Sequence, residues 1–159
     1  MPIRNRDARL LRAIARYQRY RDRRGLVAWI NRSMGKAAHV FWSILSGSDI
    51  SREASIDPET RMPHPNGVVI HAEAVVEPGC LIMQQVTLGQ LAGGGAPHVG
   101  RSAYLGAGAK VLGPVRIGEG ARIGANAVVL SDVPPHATAV GVPARITRQR
   151  VVEPHVKAD

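Results

Sequence analysis

The sequence predicts an all-β solenoid preceded by a short α-helical segment, and three observations predict it. An aliphatic residue recurs every six positions through Val99, Leu105, Val111, Ile117, Ile123 and Val129, and again through Ile70, Val76, Ile82 and Leu88. Four residues after each stands a small or β-branched one: Ala74, Cys80, Val86, Ala103, Ala109, Val115, Ala121, Ala127, Val133. Glycine follows directly in Leu88-Gly89, Val99-Gly100, Leu105-Gly106, Ile117-Gly118 and Ile123-Gly124. A hexapeptide period marks a β-solenoid. Each hexapeptide supplies one short strand and one turn, and three close a triangular coil. The aliphatic residue fills the interior, and the small one fits the corner. Ordinary amphipathic strands alternate with period two and would not hold a period of six over some seventy residues.

Residues 1–48 precede the repeat and read as two helices. Leu10, Ile14 and Tyr17 share one face of the first, with Arg9, Arg12, Arg16 and Arg19 around it; Gly25 breaks it. The second runs from about Leu26 to Leu45, with Trp29, Ile30, Met34, Ala37, Ala38, Phe41, Trp42 and Leu45 as its apolar set. Both tryptophans and the single Phe fall here, so this helix is expected to pack on the open end of the solenoid, which needs a cap. The 159-residue chain carries a net charge of +9, and residues 1–48 alone hold 11 Lys+Arg against 2 Asp+Glu, so the excess lies ahead of the solenoid. A basic segment of this kind attracts nucleic acid, anionic lipid or an acidic polymer. No nucleic-acid motif accompanies the charge, and a solvated basic face is preferred for residues 1–24.

Ile50, Ile70, Leu88, Val111 and Val129 form a first face. Ile56, Val76, Val99 and Ile117 form a second, and Met62, Ile82, Leu105, Ile123 and Val140 a third. The period slips twice. Two extra residues enter between Met62 and Ile70, and five between Leu88 and Val99. Departures from a repeat are loops, and loops on a rigid scaffold carry function. The first slip puts His64 at the corner between the third and first faces, where Asp49 begins the first coil. Coils stack at ~4.8 Å, within reach of a His–carboxylate pair that orients an imidazole as general base. A solvated turn histidine and a capping aspartate are the plainer alternative. Aromatics make up only 4% of the chain, which suits a narrow core. The single Cys80 occupies a small-residue slot and reads as buried packing; without an internal disulfide it suits a reducing, cytoplasmic setting. No apolar run approaches the ~20 residues needed to span a bilayer, and residues 1–24 lack the apolar core of a secretory signal.

Several of these segments together resemble the serine O-acetyltransferases. They are Asp49-Ile50, Pro63-His64-Pro65-Asn66-Gly67-Val68-Val69-Ile70 and Gln85-Val86-Thr87-Leu88-Gly89. Gly106-Ala107-Gly108-Ala109-Lys110-Val111-Leu112-Gly113, Val133-Pro134-Pro135-His136 and Gly141-Val142-Pro143-Ala144-Arg145-Ile146 complete the set. The similarity spans roughly residues 48–147. It implies a left-handed parallel β-helix domain at 49–147, with a helical segment at 1–48 and a tail at 148–159. It further implies a homotrimer that binds acetyl-CoA in the groove between subunits and needs no metal. By similarity, His64 is the general base and Asp49 orients it. Amides near Gly89 and Gln90 are oxyanion donors, and transfer is direct, so Cys80 is not a nucleophile. Ala107 and Ala125 match small residues that admit the pantetheine arm, and Arg145 is a partner for CoA phosphates.

The chain also departs from that family. Its second active-site histidine, which is followed by Pro, corresponds to Ala96 here, in a shorter loop; His98 lies two residues on as a substitute. The Asp before the first histidine is Pro63. The chain ends Val156-Lys157-Ala158-Asp159, without the terminal Ile that docks cysteine synthase, so that complex is not expected. The acceptor is expected to be serine or, in the second place, a sugar or exopolysaccharide unit. Two readings of other classes stay open. One is a γ-carbonic-anhydrase-like enzyme with His64, His71 and His98 as metal ligands. The other is a non-catalytic scaffold that binds a polyanion through its basic helices.

Overall fold

The computed structural model describes residues 5–149. Helix α1 (Arg6–Tyr20) and helix α2 (Leu26–Ser46) form an antiparallel pair, followed by a parallel β-solenoid. The first face stacks β1 (Asp49–Ile50), β3 (Val69–Ile70), β6 (Thr87–Gly89), β9 (Lys110–Leu112) and β12 (Val128–Val129). The second stacks β2 (Ser55–Ile56), β4 (Val75–Val76), β7 (His98–Val99) and β10 (Arg116–Ile117). The third stacks β5 (Leu81–Ile82), β8 (Tyr104–Leu105), β11 (Arg122–Ile123) and β13 (Ala137–Val140), and β14 (Arg145–Gln149) closes it antiparallel to β13.

Every coil repeats one arrangement. The second residue of each short strand points inward and stacks on its counterpart, as Ile70 on Leu88 and Leu88 on Val111. Ile82, Leu88, Val99, Leu105, Val111 and Ile123 are fully buried, and so are the corner residues Ala74, Cys80, Val86, Ala103, Ala109, Ala121 and Ala127. Strands of two or three residues have no stability alone; the ladder and the stacked interior hold them. The five-residue insertion after Leu88 leaves the register intact, because Val76 still pairs with Val99 and Leu88 with Val111. Cys80 is wholly buried and its Sγ–H donates to the Gly100 carbonyl at 3.2 Å; burial pushes this thiol up from its ordinary value.

Two expectations about packing are corrected. Val140 does not fill the third face. Ile123 pairs with Ala139, which is buried, while Val140 is exposed. The segment Ser131-Asp132-Val133-Pro134-Pro135 takes a shorter path: Val133 bridges Ile117 on the second face, four residues after Val129 rather than six. The next inward position therefore arrives early. Secondly, α1 and not α2 closes the open end. Leu10, Leu11 and Ile14 are part of the solenoid core with Ile50, Ala54 and Met62. This slim aliphatic stripe fits the triangular opening, which the rings of Trp29 and Phe41 would overfill. Polar contacts fix its seat. The Asp7 carboxylate accepts from the Met62 N–H (3.2 Å), and Gln18 Nε2 donates to the Arg52 and Ala54 carbonyls (2.8 and 2.9 Å). Tyr17 Oη donates to Glu53 (2.9 Å), whose second oxygen takes Arg21 Nη1 (2.8 Å); these two bonds hold the Glu53 carboxyl below its usual range.

Helix α2 rides on α1 through its small residues Ala28 and Gly35. A Cβ on Gly35 would sit 2.9 Å from the Tyr17 backbone nitrogen, so glycine sets how closely the helices approach. Trp42 is partly buried against the core, and His39 Nε2 bonds the Ile50 carbonyl at 2.8 Å. Strand β14 crosses the 147/148 boundary drawn from the sequence; residues 150–159, including the Val156–Asp159 end, lie outside the described residues.

Stability is expected to reside in the stacked interior. Leu105→Ala removes a fully buried side chain between two coils and is expected to cost about 2–5 kcal/mol in urea denaturation. Gly106→Ala is expected to lower Tm as well. Its Cβ would lie 2.7 Å from the Ala125 nitrogen and 2.8 Å from the Ile123 oxygen, both backbone atoms that cannot swing away. An unchanged midpoint in both variants would contradict this packing.

Candidate active site

The solenoid sorts the sequence-derived candidates by corner. At the corner from the third to the first face stand His64, Ala107 and Ala125. Ala107 and Ala125 are stacked directly, the Asn126 N–H donating to the Ala107 carbonyl at 2.8 Å. Gly89, Gln90 and Ala96 belong to the corner from the first to the second face. Arg145 opens β14 at the C-terminal end of the coil.

Asp49 and His64 bracket one turn of chain. The Asp49 N–H donates to the Val68 carbonyl (2.8 Å), and the Gly67 N–H to Gly47 (2.7 Å), so the Gly47–Ser48 corner lies on the turn that follows His64. Both side chains are exposed, and among the described residues neither makes a side-chain hydrogen bond. Both polar groups are thus open to a ligand, but His64 is not among the residues that line the groove beside Asp49.

A groove of about 320 Å³ runs along the first face. It is lined by Asp49, Ser51, Val69, Ile70, His71, Ala72, Leu88 and Gly89. Asp49 and Gly89 come together here from two separate motifs. The Gly89 carbonyl accepts from the Gly113 N–H at 2.9 Å, whereas the Gln90 N–H donates to no described group. Ser51 and His71 are groove residues that sequence reasoning did not place beside Asp49. The signal was present: each directly follows an inward residue of the first face and therefore projects outward, as Gly89 does. His71 Nδ1 accepts from the Glu73 N–H (3.3 Å), which leaves its proton on Nε2 when neutral.

His98 is placed elsewhere. It lies on the second face, where its Nε2 bonds Glu77 Oε1 at 2.8 Å, and the other Glu77 oxygen accepts from the Arg101 N–H at 3.1 Å. These bonds, the His98 one first, draw the Glu77 carboxyl below its usual range. Ala96 is partly buried against the core beside the buried Pro97. Arg145 is exposed; its Nη1 donates to the Ala144 carbonyl (3.0 Å), and it edges a pocket of about 150 Å³ with Ser131, Asp132 and Ile146. Within one chain, His64, His71 and His98 do not converge: among the described residues no three His, Cys, Asp or Glu side chains group as a metal site.

Residues 96–131 match the bacterial transferase hexapeptide (six repeats) family. The serine acetyltransferase of Mycobacterium tuberculosis is 45% identical over 126 residues, and that of Escherichia coli 46% identical over 101. The match takes in 77% and 62% of this chain but only 55% and 37% of those relatives, so the chain spans about half their length or less. Among solved structures, a soybean serine acetyltransferase complexed with serine superposes with a TM-score of 0.78 at 34% identity, covering 91% of this chain and 58% of that one. A serine acetyltransferase in complex with CoA gives a TM-score of 0.70 at 37% identity, covering 85% and 55%. The solenoid is thereby the left-handed parallel β-helix of hexapeptide-repeat proteins.

The Glu77–His98 pair makes a direct electrostatic prediction. His98→Ala removes the main cause of the Glu77 shift, so Glu77 is expected to titrate back toward the ordinary carboxylate range, read by carboxyl carbon NMR. Because its folded value is depressed, the pair's contribution to stability is present above that ordinary range and is lost as pH falls through the folded value. Both partners are exposed, so the effect on Tm is expected to be small.

Proposed function

We propose, since the chain belongs to the serine O-acetyltransferase family of hexapeptide-repeat proteins, that it is an acyltransferase moving the acetyl group of acetyl-CoA directly onto a hydroxyl acceptor. One observation carries this reading. Asp49 and Gly89, selected from separate motifs as an imidazole-orienting carboxylate and an oxyanion donor, line a single groove whose strand β3 is fed by the His64 turn.

In the mechanism, neutral His64 accepts the proton of the acceptor hydroxyl while Asp49 fixes the ring and stabilises the imidazolium. The hydroxyl oxygen attacks the thioester carbonyl carbon. The resulting oxyanion is stabilised by backbone amides near Gly89 and Gln90, the latter unused by the fold. Collapse breaks the carbon–sulfur bond, and the imidazolium returns its proton to the leaving CoA thiolate. Cys80, buried and with its thiol raised, takes no part. The stacked small side chains Ala107 and Ala125 let the pantetheine arm lie against the backbone. Arg145, exposed at the end of the coil, pairs with CoA phosphates. The smallest active unit is a homotrimer, in which a neighbour's loop completes the groove. A buried free thiol and a requirement for acetyl-CoA fit action in the cytoplasm; among the described residues no helix is long and apolar enough to cross a membrane.

The acceptor is read as serine, which the relatives favour over a saccharide unit. Ala96 offers no hydrogen bond where the family has its second histidine, and His98 is engaged by Glu77, so recognition of the serine ammonium and carboxylate is weakened.

The test is release of CoA from acetyl-CoA across serine, homoserine, hexoses and amino sugars. With the true acceptor, His64→Ala is expected to lower kcat by roughly 10²–10⁴-fold with acetyl-CoA affinity unchanged. Asp49→Asn is expected to lose less. Wild-type turnover in His64→Ala would remove the mechanism.

Ala96→His is expected to raise kcat/KM for serine. If the unaltered protein already turns over serine at ~10⁴ M⁻¹s⁻¹ or above, the missing histidine is not a handicap and another residue does its work.

A further inference from the structure

Helix α2 has small residues on its buried side and large apolar residues on the opposite side. Ala28, Gly35 and Ser46 are buried, and Gly35 lies against Tyr17 of α1. On the opposite side Leu26, Ile30, Met34, Phe41 and Ile44 follow helical spacing as a continuous stripe, flanked by Trp29 and Val40. All are exposed: Leu26 by 72%, Phe41 and Trp29 by 58% and Ile44 by 77%. Isolated exposed apolar side chains are ordinary, but a contiguous stripe about five turns long marks a contact surface.

Charge identifies the occupant. Helix α2 contains no Asp or Glu. Exposed Lys36 stands on the flank next to Trp29 and Val40, with its Nζ 5.8 Å from the Tyr17 ring centre. Arginines of α1 border the other: Arg16 Nη2 bonds Asn31 Oδ1 at 2.8 Å and lies 3.6 Å from Met34 Sδ, and the Arg9 guanidinium sits 5.0 Å from the Trp42 ring centre. Arg12, Arg16 and Arg19 line a shallow depression with Asn31. The two nearby acids are already engaged, Asp7 with the Met62 N–H and Asp22 with Arg21. An apolar ridge between two basic borders is mismatched to a second copy of itself, because joining two copies sets like charges against each other. Nucleic acid would satisfy the borders and leave the ridge in water. A bilayer with anionic headgroups satisfies both parts at once: phosphates meet Arg and Lys, and the acyl boundary takes Trp29, Phe41, Ile30 and Ile44.

We infer that the outer face of α2, with the α1 arginines beside it, docks this protein on an anionic lipid surface. Sequence alone favoured a solvated basic face for residues 1–24; the exposed stripe beside those arginines alters the balance. The inference is independent of the acetyl-transfer reading, since none of these residues lies in the groove of the first face.

The experiment is co-sedimentation of the full chain with vesicles of phosphatidylcholine containing about 30 mol% phosphatidylglycerol, against phosphatidylcholine alone. Tryptophan emission is followed in parallel, because both tryptophans lie on α2. Binding to the anionic vesicles with a blue shift, and at least about tenfold weaker binding to the neutral ones, is expected. Phe41→Glu, an exposed site where folding is not at risk, is expected to weaken binding at least about tenfold with an unchanged circular dichroism spectrum. The pair Arg12→Glu with Arg16→Glu is expected to do the same. No binding to the anionic vesicles overturns the proposal. So does binding that survives Phe41→Glu, which would reduce the contact to charge alone. So does a lower mass for Phe41→Glu by light scattering together with tryptophan emission indifferent to vesicles, which would assign the stripe to a second copy.

Discussion

Everything in this molecule depends on one steric constraint: each coil must place one aliphatic side chain per face inside a triangle too narrow for a ring. That constraint fixes the six-residue spacing and the small corner residues. Through the parallel ladder it also fixes the height at which every outward side chain stands. Ile70, Leu88 and Val111 stack in register although their separations in sequence differ. The ladder therefore expels extra residues as loops instead of distorting around them. The groove along the first face exists because Ser51, His71 and Gly89 occupy equivalent outward positions on successive coils, with Asp49 on the other side of Ile50 from Ser51. A rigid solenoid of this kind supplies prearranged positions, and the chemistry sits where the repeat is interrupted or changes residue.

The N-terminal helices show how such a fold solves its open end. A coil with an uncovered first turn exposes Ile50, Ala54 and Met62 to water. Helix α1 lays Leu10, Leu11 and Ile14 over them and is pinned by Asp7, Gln18 and Tyr17. Helix α2 then has nothing left to cover on the solenoid except near Trp42 and His39. It packs on α1 at Gly35 and, Trp42 aside, keeps most of its large side chains outside. The distribution of size on α2, small inward and large outward, separates a helix that serves the fold from one that also offers a surface.

The candidate site is partly a matter of position and partly of what has been exchanged. Asp49, His64 and Gly89 sit where the repeat makes outward corners and edges. His98, two residues from Ala96, is turned to a different face and held by Glu77. Two positions in sequence are a large displacement where a corner of the solenoid lies between them, because the corner changes face. The substitution of a histidine by a near neighbour in sequence is for this reason harder on a β-helix than on a loop.

The sequence by itself determined the solenoid, its three faces, the two helices and the motifs carrying Asp49, His64, Gly89, Ala107, Ala125 and Arg145. A strict period is a local property: each hexapeptide carries its own record of which residue must point inward. Where the period was broken, only the folded chain decided. Val133 met the second face early, which moved the inward position from Val140 to Ala139. The choice of α1 as cap and the exposure of α2 were equally tertiary, because both helices carry an apolar stripe, and only the width of the triangular opening distinguishes Leu10, Leu11 and Ile14 from Trp29 and Phe41. The partnership of His98 with Glu77 and the gathering of Ser51 and His71 beside Asp49 also lay beyond local reading. Residues 20 apart in sequence become neighbours only when one coil is laid on the next, and the height of that stacking is set by the whole ladder rather than by any segment of it.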